Sequence, residues 1–269
     1  MKQYVINSDD FGLCHSVNLG VVEAFTRGLL TQASIMATAP WFEEAVELAK
    51  KHDIPVGVHL TATCEWEYYR WRPITGGRSL CRADGTSHTS VSDAQEKCDP
   101  AELEREFIAQ VETVLSRGLA PQHIDIHMGM VNAEVFAKIC RKYKLPGYLP
   151  DWILSRDPSL SQVCHTFVSR DAHARDADPF STKPLDEKKA FFRAHLEGLA
   201  DGAHYSACHV SVDSDEIASI TRNPDLIPYA RDLRVNDLAL VSDPQFALLC
   251  TKLGIQKAAI RDLPSNVKW

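Results

Sequence analysis

The sequence contains no apolar run that approaches the roughly 20 residues a membrane-spanning helix needs. It also lacks an excess of basic residues: 29 Lys and Arg face 36 Asp and Glu, which gives a formal net charge of -7. Because nucleic-acid-binding proteins hold phosphates with a basic surface, this balance argues against a nucleic-acid partner. The opening apolar run is too short for a secretory leader, since Asp9 and Asp10 break it. We therefore expect a cytoplasmic protein with no membrane and no nucleic-acid partner.

The eight cysteines are scattered, and no two of them form a C-x-x-C pair. This scatter excludes the common zinc-finger spacing and makes a poor disulfide framework in a chain of 269 residues. Reduced thiols are the ordinary state in a cytoplasmic protein. The sequence also has no internal repeat, low-complexity tract or linker, so we expect one domain over residues 1–269.

What the sequence does have is a regular alternation of predicted strands and helices. Short apolar stretches predict strands at 3–8, 34–38, 55–61, 122–127, 206–210 and 256–260. Apolar residues at helical spacing predict helices at 16–27, 41–51, 99–117, 134–143 and 243–252. This alternation means parallel strands with right-handed crossovers, and it favours an α/β barrel of about seven or eight units. Insertions at about 62–98 and 150–183 break the rhythm, as functional loops or lids typically do.

Unusual polar residues end three of the predicted strands. Asp9 and Asp10 follow the first strand, and His59 lies near the end of the third, in the sequence GVHLT. In the fourth strand, the alternation of side chains places three polar residues on one face: His123, Asp125 and His127. The carboxyl ends of parallel barrel strands open at one rim, so these acids and imidazoles should meet. Two histidines with one carboxylate are typical ligands of a catalytic divalent metal, and the other aspartate would be free to act as a base.

Each of these residues also has an ordinary explanation when it is considered alone. A single histidine in a strand is more often a hydrogen-bonded core residue than a ligand. An Asp-Asp pair is usually a solvated loop or a helix cap. The conjunction of polar residues at three strand ends is what favours a site.

The same motifs resemble those of a known family, the YdjC-like carbohydrate deacetylases of ChbG and HpnK type. DDFG at 9–12, followed by Asn18 and Gly20, is similar to the family's opening motif. GVHLT at 57–61 resembles its GxHLT motif, and HIDIH at 123–127, preceded by GLAP at 118–121, resembles its later histidine block. The resemblance covers nearly the whole chain.

The resemblance implies a distorted TIM-like (β/α) barrel and a metal-dependent hydrolase that removes acetyl groups from N-acetylated sugars such as chito-oligosaccharides. By position, it implies His59 and His127 as metal ligands, with one aspartate as the third. In the related NodB-type polysaccharide deacetylases the first aspartate is the base and the second binds metal. By that analogy Asp9 is the base and Asp10 the ligand. The implied cofactor is one divalent metal ion, zinc or magnesium, and the implied partner is a small carbohydrate substrate.

The sequence departs from the family pattern at two places. The family often has a histidine two residues after the position of His127, and here that residue is Gly129. It often has His-Pro-Gly near the late strand, whereas here Val210 and Ser211 follow His209. The ligand set survives both changes, which bear on the substrate. We expect protonated His209 to donate to the departing amine, because imidazole titrates near neutral pH; the alternative is a core histidine bonded to backbone.

The 62–98 segment carries candidate substrate-binding residues. Aromatic rings stack on sugars and Arg orients hydroxyls, so we expect substrate contacts from Trp66, Tyr68, Arg70 and Trp71. A packed loop core or a contact in a homodimer would explain them equally well. Three alternatives to the deacetylase stay open: a metal-dependent amidohydrolase for a non-sugar amide, a non-catalytic sugar-binding barrel, and a purely structural barrel.

Overall fold

A parallel sheet of six strands organises the part of the chain that the structure, a computed structural model, describes: residues 1–169, 183–220 and 231–269. The strands are β1 (Lys2–Phe11), β2 (Gln32–Ile35), β3 (Val56–Leu60), β4 (Ile124–Ile126), β5 (Gly202–Cys208) and β6 (Ile255–Lys257). Their order is β4-β3-β2-β1-β5, and β6 pairs with β1 as well. The predicted α/β class with a parallel sheet is therefore confirmed.

The long strand β1 lies at the centre of this sheet. It pairs with β5 along Lys2–Ser8, with β6 over its first residues, and with β2 from Asn7 onward. Isolated parallel bridges continue the sheet at both edges. Gly147 pairs with Ile124 of β4 and with Cys164, while Ser169 pairs with His204 of β5.

The helices within the described residues are α1 (His15–Arg27), α2 (Phe42–His52), α3 (Val91–Lys97), α4 (Pro100–Ser116), α5 (Ala133–Tyr143), α6 (Asp151–Leu154), α7 (Leu185–Gly198), α8 (Asp215–Ile220), α9 (Arg231–Val241) and α10 (Pro244–Lys252). Two of them begin with an Asp-Pro pair, with Asp as N-cap and Pro at the first helical position. Asp99 accepts hydrogen bonds from the main chain at the start of α4, and Asp243 does the same for α10. In the described ranges, no helix has the length and apolar character needed to cross a bilayer.

Both predicted insertions contain short helices. The 62–98 segment holds α3 and a 3-10 turn at Arg78–Leu80, and the 150–183 segment begins with α6 and a 3-10 turn at Pro158–Gln162. The end of the second insertion, 170–182, lies outside the described residues. The assignment of 1–269 to one domain stays a prediction.

The sheet buries both of its faces. Tyr4 and Ile6 of β1 belong to the main apolar core, which is shared with the helices. Val5 points the other way, into a small cluster with the stacked rings of Tyr148 and Tyr205. Asn7 continues the face of Val5 toward the carboxyl ends of the strands, where the interior becomes polar.

Candidate metal centre and active site

A β-bulge brings the two adjacent aspartates to one place. Pairing of β1 with β2 slips by one residue between Ser8 and Phe11. In a regular strand, Asp9 and Asp10 would point to opposite faces. In the bulge Asp10 has a left-handed backbone with φ 64°, a conformation that Asp tolerates better than most residues. Both carboxylates therefore lie close to His59.

Asp10, His59 and His127 form a buried cluster whose ligand atoms lie within 4.8 Å of one another. Asp10 Oδ1 is 3.5 Å from His59 Nε2 and 3.1 Å from His127 Nδ1. The structure thus brings together the three residues that the family resemblance implies as ligands. A second group, formed by Asp9, His59 and Asp125, shares the same imidazole.

In each of the two histidine rings, the nitrogen that points away from Asp10 contacts a carboxylate, which orients the ring. His59 Nδ1 lies 2.8 Å from Asp125 Oδ1, and His127 Nε2 lies 2.9 Å from Glu65 Oε2. These contacts leave His59 Nε2 and His127 Nδ1 facing Asp10. Metal-binding histidines are commonly supported in this way, because the outer carboxylate fixes the ring and its tautomer.

The same carboxylates favour positive charge on the rings. Burial works to lower the pKa of His59, but Asp125 outweighs it and raises that pKa above its ordinary value. For His127, burial is outweighed by Glu65 and Asp10, and the pKa rises to about 10. The carboxylates would stabilise a divalent ion in the same way, because the ion replaces the ring protons when it binds and brings positive charge to the same place.

The surroundings of Asp10 Oδ1 indicate whether a metal ion fits this cluster. This buried oxygen accepts no hydrogen bond of normal geometry within the described residues, although two imidazole nitrogens face it. The other oxygen, Oδ2, accepts from Arg234 Nη2 at 2.6 Å. Burial opposes ionisation, but Arg234 and His127 hold the pKa of Asp10 well below its usual range. One ionised carboxylate oxygen and two imidazole nitrogens, facing one another without a hydrogen bond, are a donor set that fits a divalent ion.

Asp9 lies beside this cluster and faces His209. Its Oδ1 accepts from Asn7 Nδ2 at 2.7 Å, and its Oδ2 lies 3.9 Å from His209 Nε2. Burial raises the pKa of Asp9 to about 7, against the opposing effect of His59. Burial also lowers the pKa of His209 to about 3, so this imidazole is neutral at neutral pH. The pair thus combines a carboxylate that titrates near neutrality with a neutral ring.

A buried polar layer lies beneath these groups and joins them. Asn7 Nδ2 also donates to Ser34 Oγ at 2.9 Å, and the Ser34 hydroxyl donates to Asp125 Oδ2. His123 Nε2 lies 3.2 Å from Ser34 Oγ and 3.3 Å from Asp125 Oδ2. Asn7, which contacts Asp9, and Asp125, which contacts His59, therefore belong to one hydrogen-bonded network.

Sequence reasoning missed four charged residues around the site. The sequence placed Asp125 on the same strand face as two histidines, which marked it as unusual, but no role was assigned to it. Arg234 and Asp237 lie three residues apart on α9, where both are buried, and charged residues on a buried helix face are a usable signal. Glu65 lies in an irregular loop, where no spacing marks it.

The four candidate substrate-binding residues have different surroundings. Trp66 and Trp71 are buried, and the Trp71 ring lies 6.0 Å from the His127 ring. Tyr68 is 77% exposed. Arg70 donates to acceptors within its own loop: the main-chain oxygens of Cys64, Trp66 and Ser87 and the hydroxyl of Thr86. Their contact with substrate stays a prediction, and Tyr68 is the one with a largely exposed side chain.

Comparison with known proteins agrees with the motifs. The model of the YdjC-like protein family matches residues 3–252. A carbohydrate deacetylase from Geobacillus stearothermophilus is 36% identical, over 97% of this chain and 98% of its own. A solved structure from Enterococcus faecalis V583, described as a candidate cellobiose-phosphate cleavage protein, has a TM-score of 0.76 at 22% identity and covers 97% of this chain and 98% of that chain.

A more distant solved structure is a family 4 carbohydrate esterase from Streptomyces lividans in complex with acetate. It has a TM-score of 0.50 at 10% identity and covers 100% of this chain and 98% of that chain. At these identities the two solved structures show a shared fold. The family match, together with the full-length relative, shows that this chain belongs to the YdjC-like protein family.

Proposed function

We propose that this protein is a metal-dependent carbohydrate deacetylase that releases acetate from N-acetylated sugars. The full-length similarity to a carbohydrate deacetylase supports the reaction class. The observation that carries the proposal is the convergence of His59 and His127 on Asp10 Oδ1, with Asp9 beside them. Asp10, His59 and His127 would hold one divalent ion, zinc or magnesium, which when bound would lower the pKa of water and polarise the amide carbonyl.

Asp9 is the general base of this proposal. A carboxyl group whose pKa lies at about 7 is deprotonated in a large fraction of molecules at neutral pH and still accepts a proton well. Asn7 holds one of its oxygens, so the other is free to face the reacting water and His209.

His209 is the proton donor to the departing amine. Because its ring is neutral at rest, it donates only after it has accepted a proton within the site. Asp9, 3.9 Å away, is the group that takes the proton from water, and this proton passes to the amine by way of the His209 ring as the C–N bond breaks, so the ring need not hold it at rest. A His209 that is protonated beforehand, as expected from the sequence, stays a prediction.

The substrate is a chito-oligosaccharide-like sugar bound against the 62–98 loop. Trp71 is buried beside His127 and would support the loop there, while exposed Tyr68 offers a ring face to a sugar. Arg70 contributes by holding the loop together. A homodimer and a cytoplasmic location remain predictions from the sequence.

The proposed architecture is a distorted barrel. The segment 164–169 supports it, because its first residue pairs with Gly147 beside β4 and its last pairs with β5. A strand at this position would close the sheet and keep the carboxyl ends of all strands at one rim.

Acetate release from a panel of N-acetylated sugars tests the proposal. Chelator-treated protein is assayed with added zinc, magnesium, cobalt or nickel, on N-acetylglucosamine, its oligomers and non-sugar acetamides. We expect metal-dependent release from the sugars that is lost in His127→Ala. Release from non-sugar amides alone would favour an amidohydrolase, and binding of metal and oligosaccharide without release would favour a sugar-binding barrel.

A further inference from the structure

A fully buried ion pair lies behind His209. Lys188 Nζ donates to Asp237 Oδ1, and both side chains are 0% exposed. The second oxygen of Asp237, Oδ2, accepts the main-chain N–H of His209 at 2.9 Å. Lys188 belongs to α7, Asp237 to α9, and His209 directly follows β5, so three elements meet at this carboxylate.

Stability alone is a poor explanation for this arrangement. Removing two charges from water is costly, and a well-packed apolar pair often stabilises a fold as well as a buried ion pair. The ion pair occupies Oδ1, whereas Oδ2 is directed at the main chain of a residue that faces Asp9. The Lys188 side chain holds the Asp237 carboxylate in place, and that carboxylate in turn fixes the peptide group at His209.

The main chain after His209 has no built-in rigidity of its own. Val210 and Ser211 have neither the fixed φ of Pro nor the special turns of Gly. Contacts from outside hold the segment instead. Ser211 N donates to the main-chain oxygen of Arg234 at 3.2 Å, and a Cβ at Gly20 would lie 2.7 Å from Ser211 Cα, so α1 packs directly on this backbone.

We propose that Asp237, held by Lys188, is a positioning residue for His209: it fixes the main chain so that the imidazole stays opposite Asp9. The inference rests on the proposed function, because it concerns delivery of a proton to the departing amine. A misplacement of about 1 Å in such a group can cost about 10²-fold in rate. Loss of the hydrogen bond should therefore affect substrates that need this proton and spare those that do not.

A matched pair of double variants tests the proposal. Lys188→Met with Asp237→Asn removes both charges and keeps an oxygen for the His209 N–H. Lys188→Met with Asp237→Leu removes the charges and the oxygen, at nearly the same side-chain volume. Both are assayed on an N-acetylated sugar, whose amine must be protonated, and on 4-nitrophenyl acetate, whose leaving group needs no proton. Bound metal is measured in each.

We expect the Asn pair to keep kcat on the sugar within about threefold of the native protein. In the Leu pair kcat should fall about 10–100-fold on the sugar, with KM, metal content and ester hydrolysis unchanged. Equal rates for the two pairs on the sugar, or a parallel loss on sugar and ester, would overturn the proposal.

A second measurement needs no substrate and separates this inference from the proposed function. In protein labelled at histidine, the ring signals of His209 are assigned by their loss in His209→Ala. They should keep their native positions in the Asn pair and shift in the Leu pair; unchanged signals in the Leu pair would overturn the positioning role. Absence of acetate release by the native protein would overturn the proposed function alone.

Discussion

Asp125 lies behind His59, yet replacing it should weaken metal binding. Its Oδ1 is 2.8 Å from His59 Nδ1, and its Oδ2 accepts the Ser34 hydroxyl. In Asp125→Asn the amide oxygen can still accept from His59, because the amide nitrogen can face the Ser34 oxygen. The substitution therefore removes the negative charge and keeps the hydrogen bond.

The size of the effect follows from the kind of hydrogen bond that is lost. A hydrogen bond to a charged group contributes about 1.5–3 kcal/mol and a neutral one about 0.5–1.5 kcal/mol. The difference of about 1–1.5 kcal/mol corresponds to roughly tenfold in the dissociation constant of the metal. Asp125→Leu also leaves the His59 N–H unpaired and should reach about a hundredfold, the upper end for residues that support metal-binding histidines.

The assay is a zinc titration of chelator-treated protein against a chromophoric chelator at neutral pH. Asp232→Asn serves as the matched control, because that side chain is 85% exposed and pairs with Arg231. The affinity for zinc should fall from the native protein to Asp125→Asn and again to Asp125→Leu, and Asp232→Asn should bind zinc as tightly as the native protein. Equal dissociation constants for all four proteins would refute the idea that Asp125 supports a metal ligand.

Other perturbations separate the proposed ligands from the proposed base. His59→Ala and His127→Ala should each lose the ion with unchanged circular dichroism, and full metal content in both by elemental analysis would rule out the site. Asp9→Asn should keep its metal and lose at least about 10²-fold in turnover, whereas Asp10→Asn should lose metal; swapped phenotypes would reverse the two roles. The rate should rise with pH through a limb at or below about 7, because Asp9 acts only when deprotonated and its pKa is raised to about 7; a profile that is flat across that limb would contradict Asp9 as the base.

Local signals made much of the fold predictable from the sequence. The Asp-Pro starts of α4 and α10 and the glycines that follow these helices define their ends within one or two residues. Strand alternation placed Asp125 and the histidines around it on one face. Both kinds of prediction work because the interactions involved join residues that are near one another in the chain.

Long-range partners and backbone exceptions were not predictable. The contact between Arg234 and Asp10 spans 224 positions, and nothing near either residue indicates the other. Glu65 reaches His127 from an irregular loop. The bulge in β1 breaks the alternation of side chains on which strand predictions depend. The sequence therefore indicated that both aspartates belong to the site, but it did not indicate how two adjacent side chains could face the same way.

That bulge also limits how the site can evolve or be redesigned. In the proposed site, position 10 supplies an oxygen and, at the same residue, adopts a left-handed backbone with φ 64°. Asp meets both demands, whereas a longer ligand such as Glu would have to change its reach and its backbone together. Metal preference at the proposed centre is therefore more open to change through His59, His127 and their supporting carboxylates than through the aspartate itself.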